Sequence, residues 1–316
     1  MRIMTFFKLI RYPNLLFVAL TQYLLHYLLL KPLMEFAGLE LSLNHLDFAL
    51  LVLSTVCIAG AGYAINDYFD VQSDLINKPE KTYVDKGVHR RKAMLIHQVL
   101  TALGVLLGFY VALRIHHFRL GLIQPIVAGM LWFYSTGYKK QPLLGNLLVA
   151  LLTGLVVLLV PLYEPHIFSP YFNTLELETS ATLFKFFFIY FAFAFLLSLL
   201  REIVKDMEDE EGDSLAGCRT LPIIWGHRNT KTLLWILMAG VMGLLIFCQV
   251  YWAKQHFPIV SVYIYVLIQQ PILLGMYWLS KATQKRDFSR LSNLFKLTML
   301  MGILSIPFLY YFVWNS

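Results

Sequence analysis

The sequence predicts an all-α polytopic membrane protein, with nine transmembrane helices in a single domain covering residues 1–316. Three observations predict it. The chain is 58% hydrophobic and only 14% charged, where a soluble domain carries about 25% charged residues. Apolar runs of spanning length, about 17–25 residues, recur nine times. The lysines and arginines also fall unevenly when the connecting segments are assigned alternately to the two sides of a bilayer. Helices are the natural form of each run, because backbone facing lipid must satisfy its own hydrogen bonds.

Residues 2–12 set Phe6 and Ile10 against Lys8 and Arg11, an amphipathic lead-in suited to the interface. The runs follow at 14–34, 46–66, 93–114, 120–138, 143–163, 182–204, 232–252, 258–280 and 292–314. No small-residue cleavage site follows the first run, so it reads as a retained helix and not a signal peptide. Pro125, Pro161 and Pro271 fall inside or near the ends of runs, where membrane helices tolerate kinks. Gly60 and Gly62 read as points of close helix packing, and Gln269 and Gln270 as polar glue between helices. With the N-terminus inside, 21 of the 26 Lys and Arg residues lie on the cytoplasmic side, as the positive-inside rule requires. This arrangement places the protein in the cell membrane with cytoplasmic functional loops. The net charge of +7 then serves topology and anionic lipid or phosphate, and implies neither a nucleic acid nor a protein partner. Cys57, Cys218 and Cys248 show no paired spacing and read as small core residues.

Carboxylates are scarce and concentrated. Five of the 19 acidic residues lie in 66–85 and seven in 201–213. The first window holds Asn66-Asp-Tyr-Phe-Asp-Val-Gln-Ser-Asp74, at the end of the second run. If the helix continues, Asn66, Asp70 and Asp74 stack on one face, with Asp67 one step round. The second window follows the sixth run and repeats the pattern with Asp206, Asp209 and Asp213, Glu202 lying one turn earlier. Close carboxylates repel unless a cation lies between them, and hard oxygen ligands suit Mg²⁺, which bridges a few carboxylates to substrate phosphates. Lys78, Lys81, Arg201, Lys205 and Arg219 lie beside these acids, with Lys139 and Lys140 in another inner segment. Acid for metal and base for anion, beside an apolar bundle, match a diphosphate carrying a hydrocarbon tail. The bland reading is a solvated acidic loop after a helix, with the lysines as topology anchors. His45, His97, His116, His117 and His227 have no ligand spacing.

The paired acidic motifs resemble the two signatures of the intramembrane UbiA-type prenyltransferase superfamily, and the nine-span count agrees. Arg201-Glu-Ile-Val-Lys-Asp-Met-Glu-Asp-Glu-Glu-Gly-Asp213, Arg219-Thr-Leu-Pro222, Arg11-Tyr-Pro-Asn14, Tyr134-Ser135 with Lys140, and Gly145-Asn146 are similar to the branch containing digeranylgeranylglyceryl phosphate synthase. The resemblance implies helices around a cavity open to the cytoplasm and to lipid, with the ends of spans two and six facing one another. It implies Mg²⁺ held by Asn66, Asp70, Asp74, Asp206, Asp209 and Asp213, and a polyprenyl diphosphate held also by Lys78, Lys81, Lys139, Lys140, Arg201 and Lys205. Asp70 and Asp206 are then catalytic, and Asp67 positions or deprotonates the acceptor, which in that branch is the hydroxyl of geranylgeranylglyceryl phosphate. One departure stands out: after Asn77-x-Pro79 the family's Arg-Pro-x-Pro-x-Gly run is replaced by Lys81-Thr-Tyr-Val-Asp-Lys-Gly87. The rivals are an aromatic prenyltransferase of quinone, haem or pigment synthesis and, from another class, a cation transporter. Transporter sites favour broken helices near mid-bilayer, whereas these acids sit at span ends. A CDP-alcohol phosphotransferase needs an Asp-Gly-x-x-Ala-Arg run, which the chain lacks.

Overall fold

The computed structural model describes residues 3–80, 82–168, 174–254 and 256–314, and all the elements that position the acidic motifs are helical. A short helix α1 (Ile3–Leu9) leads into α2 (Tyr12–Phe36), and α3 (His45–Phe69) carries the first acidic motif into the short α4 (Val71–Asn77). Next come α5 (Arg90–Arg114), α6 (Ile123–Thr136), α7 (Leu144–Leu162) and α8 (Thr174–Leu215). The chain continues through α9 (Leu221–Lys254), α10 (Pro258–Lys281) and α11 (Lys285–Phe312).

Eight of these helices are long and apolar enough to cross a membrane. The remaining predicted run, 120–138, forms the 3-10 turn Phe118–Leu122 followed by the 14 residues of α6. At about 2.0 Å per 3-10 residue and about 1.5 Å per α residue, turn and helix together can rise about 31 Å, close to the roughly 30 Å hydrocarbon core. Pro125, at the start of α6, has no N–H to continue the ladder backwards.

Local chemistry explains the other boundaries. Asn44 caps α3, its Oδ1 accepting from the Asp47 N–H at 2.8 Å while its Nδ2 donates to the Asp47 carboxylate at 2.8 Å. The cap satisfies an orphan N–H, and the acid suits the positive helix end. Wide π turns occur at His26–Leu30 and Tyr265–Gln269, each just before a proline, Pro32 and Pro271. A proline inside a helix removes one ladder bond and pushes back the preceding carbonyl, and the added residue of a π turn absorbs the mismatch.

Two compact units divide the chain: residues 1–139 with 155–188, and residues 140–154 with 189–316. The first unit packs α3 tightly on α5. A Cβ on Gly104 would lie 2.8 Å from the Ile58 side chain and 3.0 Å from the Ser54 carbonyl oxygen, and one on Gly108 would lie 2.4 Å from Gln124. The spacing Gly104-x-x-x-Gly108 thus brings backbones close, and the Ser54 hydroxyl uses the proximity to donate to the Gly104 carbonyl at 2.6 Å. Gly62 has the expected packing role, with Leu131 2.9 Å from where its Cβ would be. In the second unit Ile203, Val204, Leu234, Met238, Leu279, Leu291 and Phe295 belong to one buried cluster. Gln249 and Gln269 exchange amide hydrogen bonds at 3.1 and 3.0 Å, which realises the polar glue expected of Gln269.

Candidate active site

The first acidic motif lies in the first unit. Helix α3 ends at Phe69, Asp70 adopts φ −87°, ψ 2°, and α4 resumes at Val71. The break does not disturb the register, because Asp70 N–H donates to Asn66 O at 3.0 Å, Asp74 N–H to Asp70 O at 2.9 Å, and Lys78 N–H to Asp74 O at 2.8 Å. Asn66, Asp70 and Asp74 therefore recur at the four-residue spacing that stacks side chains on one face. Asn66 Nδ2 donates to Asp70 Oδ2 at 2.6 Å, and the Lys139 ammonium pairs with the same oxygen. Asp70 is buried and Asp74 half-buried. Burial pushes the Asp74 carboxyl above its ordinary range, the Asp70 charge adds to this, and Lys139 opposes it. The Asn66 Oδ1 is buried without a hydrogen-bond partner.

Asp67 faces elsewhere. Arg11 Nη2 donates to its Oδ1 at 2.8 Å, and the guanidinium lies 4.9 Å from the Tyr63 ring centroid. Asn14 Nδ2 reaches the Tyr63 hydroxyl at 3.3 Å. Arg11 takes a left-handed backbone (φ 52°) at the turn between α1 and α2, so this strained turn delivers its side chain to α3. Burial works against the Arg11 charge, but the Asp67 carboxylate and Tyr63 outweigh it and raise its pKa.

The loop after α4 is held by aliphatic anchors. Val84 and Val88 are buried in a cluster with Leu9, Ala64, Val71 and Ala93. The Tyr83 carbonyl accepts from Gly87 and Val88 N–H at 2.8 and 2.9 Å, and Lys86 Nζ donates to the Pro79 carbonyl at 2.8 Å. Lys78 is half-buried at the end of α4, and Lys81 lies outside the described residues.

The second motif lies in the second unit and is not a loop: α8 runs unbroken to Leu215. Asp206, Asp209 and Asp213 thus share one helical face, the first two half-buried and the third buried. Asn146 Nδ2, at the start of α7, donates to Asp206 Oδ2 at 2.9 Å. Arg201 Nη1 donates to Glu202 Oε1 at 3.3 Å, while its Nε is buried without a hydrogen-bond partner. Lys205 is half-buried on the same helix, and Lys140 is exposed, its carbonyl accepting the Arg219 N–H at 2.9 Å. Glu210 pairs with His227 on α9.

Among the described residues no three His, Cys, Asp or Glu side chains converge as a metal group. Each motif offers a few oxygens beside cations, not a closed cage. Sequence reasoning gave Arg11 only an interfacial place and Asn146 no role; the stretches Arg11-Tyr-Pro-Asn14 and Gly145-Asn146 were the signal. The structure places Arg11 on Asp67 and Asn146 on Asp206.

Fold and sequence together define a polytopic helical membrane protein that carries two carboxylate motifs, each beside cations. The chain belongs to the UbiA prenyltransferase family, whose model matches residues 36–312. It is 30% identical to digeranylgeranylglyceryl phosphate synthase of Methanothermobacter thermautotrophicus, over 82% of this chain and 84% of that one. A solved structure of a digeranylgeranylglyceryl phosphate synthase in membranes shares the fold at TM-score 0.58 and 24% identity, covering 96% of this chain and 97% of its own. A UbiA homologue from Archaeoglobus fulgidus bound to DMAPP and Mg²⁺ does so at TM-score 0.53 and 16% identity, covering 96% of this chain and 99% of its own.

Proposed function

We propose that this chain transfers a geranylgeranyl group from its diphosphate to the hydroxyl of a prenylglyceryl phosphate, with Mg²⁺. The observation that carries the reading is the Asn66–Asp70 pair. Its buried Asn66 Oδ1 has only lone pairs to offer and no donor to receive, which fits a hard cation that completes its shell with phosphate oxygens and water. The relative from Methanothermobacter supports the acceptor class, and the Archaeoglobus homologue's ligands support the donor and the metal.

Asn66, Asp70 and Asp74 would hold Mg²⁺ at the first motif, and Asp206, Asp209 and Asp213 at the second. Bound there, Mg²⁺ supplies charge neutralisation to the diphosphate as the allylic C–O bond weakens. Lys139, Lys140, Lys78, Lys81 and Lys205 donate to non-bridging oxygens of the leaving group. The pairing of Lys139 with Asp70 supports this role. Asn146 orients the Asp206 carboxylate from outside. The acceptor oxygen attacks the allylic carbon, and its proton passes to a carboxylate oxygen or to the departing diphosphate. Asp67, held by Arg11, positions the acceptor. The N-terminus and both motifs face the cytoplasm, from a cavity that also opens to lipid in the plasma membrane.

The test incubates purified protein with labelled geranylgeranyl diphosphate, Mg²⁺ and either a prenylglyceryl phosphate or an aromatic acceptor, and identifies products by mass spectrometry. Mg²⁺-dependent ether formation is expected, with Asp70→Ala and Asp206→Ala each removing most of it. Preferential prenylation of the aromatic ring, or near wild-type turnover in either variant, would sink the reading. Orientation is checked with a cysteine replacing Lys86, which an impermeant thiol reagent should label only from the cytoplasmic side.

A further inference from the structure

Helix α1 has two unlike faces. Its seven residues rise about 10 Å, too little to cross a membrane, yet only Ile10 and Arg11 separate it from Tyr12, where the first spanning helix begins. It is therefore tethered at a membrane surface. Outward, Met4 is 63% exposed and Phe7 43%, and the Phe7 ring meets that of Tyr12 edge-on at 6.1 Å. The apolar strip thus continues into the first residue of the span, at the level that suits tyrosine. The opposite side grips the chain that follows the first acidic motif. Thr5 and Leu9 share a face at four-residue spacing. Leu9 is fully buried in a cluster with Val84 and Val88. A Cβ on Gly87 would lie 3.1 Å from Thr5 Cγ2, so the glycine lets the turn close on the helix. The Lys8 ammonium lies 5.9 Å from the Tyr83 ring centroid. Within the turn, Asp85 takes a left-handed backbone (φ 66°) and donates its N–H to the Val88 carbonyl at 2.9 Å. Gly87 and Val88 N–H both return to the Tyr83 carbonyl.

We propose that α1 is a clasp between the membrane surface and the turn at 82–88. Its Met4–Phe7 side beds in the headgroup boundary of an anionic bilayer, and its Thr5–Leu9 side thereby holds the turn shut. Both pieces need the arrangement. A helix shorter than about 12 residues is marginal in water, and a lone two-stranded turn is no better. Each gains order by apolar burial, which α1 finds in lipid on one side and in the cluster around Leu9 on the other. Charge selects the kind of lipid. Residues 1–10 carry Arg2 and Lys8 without an acid, and Arg90, Arg91 and Lys92 follow the turn. Asp85, the acid within it, is taken up by Arg90 at 2.9 Å. Such a basic surface attracts anionic headgroups. The segment held begins at Lys78, whose N–H donates to Asp74 O at 2.8 Å, so lipid would set how firmly the chain beyond the first motif is fixed. The clasp stands whether or not the chain transfers prenyl groups.

The experiment is hydrogen–deuterium exchange, read by mass spectrometry, on full-length protein in nanodiscs of phosphatidylcholine alone or with phosphatidylglycerol. In wild type, residues 3–9 and 82–88 should both exchange about tenfold more slowly in the anionic discs, and raised salt should erase the difference. Met4→Asp combined with Phe7→Asp alters only the outward side, and should speed exchange in both segments by about tenfold or more. Met4→Leu combined with Phe7→Leu should keep the wild-type rates. Exchange over residues 46–66 should stay unchanged throughout, which shows that the fold survives. Should a variant fail to fold, the wild-type comparison between lipids needs no substitution and decides the matter. A turn that stays protected while α1 is released overturns the clasp, as do equal wild-type rates in neutral and anionic discs.

Discussion

Glu164 is the carboxylate in this protein whose protonation state should be visible in its stability. It is fully buried, and both its oxygens accept backbone N–H groups, Ser42 at 2.6 Å and Leu43 at 3.3 Å. It therefore ties the loop before α3 to the turn after α7. Burial pushes its pKa from 4.5 up to about 7, although the hydrogen bonds from Ser42 and Leu43 pull the other way. A raised carboxylate pKa means that the folded state holds the proton more tightly than the unfolded one. The contribution is thus complete below pH 4.5 and is lost as pH rises through about 7. At 1.36 kcal/mol for each tenfold change in proton affinity, the difference is on the order of 3 kcal/mol. Glu164→Gln removes the titration. Its amide oxygen can still accept one N–H, but its NH₂ cannot accept the other, a pH-independent loss of about 1 kcal/mol. Unfolding in detergent, followed from pH 4.5 to 8, should show wild type the more stable at the acid end and the curves converging or crossing toward neutrality. Parallel curves for the two proteins would refute the reasoning, because the burial of an ionisable group would then have no energetic consequence.

Other outcomes follow from the packing and the site. Arg11→Met leaves Asp67 buried without its partner, and should destabilise the protein by about 3–5 kcal/mol; thermal unfolding should show most of this recovered in the double variant with Asp67→Asn. Gly104→Leu drives a side chain into Ile58 and the Ser54 carbonyl, 2.8 and 3.0 Å from its Cβ, and should cost several times more in unfolding temperature than Gly129→Leu, whose Cβ meets nothing within 4 Å. Asn146→Ala frees the Asp206 carboxylate from its 2.9 Å donor. It should raise the Mg²⁺ concentration for half-maximal rate by about tenfold with smaller effect at saturation, the usual loss for a residue that orients a ligand; metal titrations of the rate give the answer.

The membrane-spanning class was legible because hydrophobic length is a strong, local signal, and the four-residue spacing of Asn66, Asp70 and Asp74 survived even though α3 breaks there. The bonds from Asp70 N–H to Asn66 O and from Asp74 N–H to Asp70 O keep that four-residue spacing across the break. The 120–138 run was legible as apolar, but the 3-10 turn at Phe118–Leu122 that precedes its α-helix was not, because such a turn does not lower the hydropathy. Asn146 and Arg11 were hidden for another reason. Each acts on a carboxylate more than fifty residues away, Arg11 on Asp67 and Asn146 on Asp206, and periodicity carries no information about such distant pairings. The left-handed turn at Arg11 is likewise set by where its side chain must reach.

The length of α8 has one more consequence. Forty-two helical residues measure about 63 Å, twice the roughly 30 Å of hydrocarbon that a membrane presents. On the proposed orientation, the excess length of this shaft would carry the acid-bearing end past the greasy layer into the headgroup zone. There, on the proposed reading, water-loving phosphates would be gripped while the oily tail stays submerged. Shortening or kinking this shaft would move all three of its aspartates together, shifting the depth at which charged and uncharged parts of one molecule are sorted.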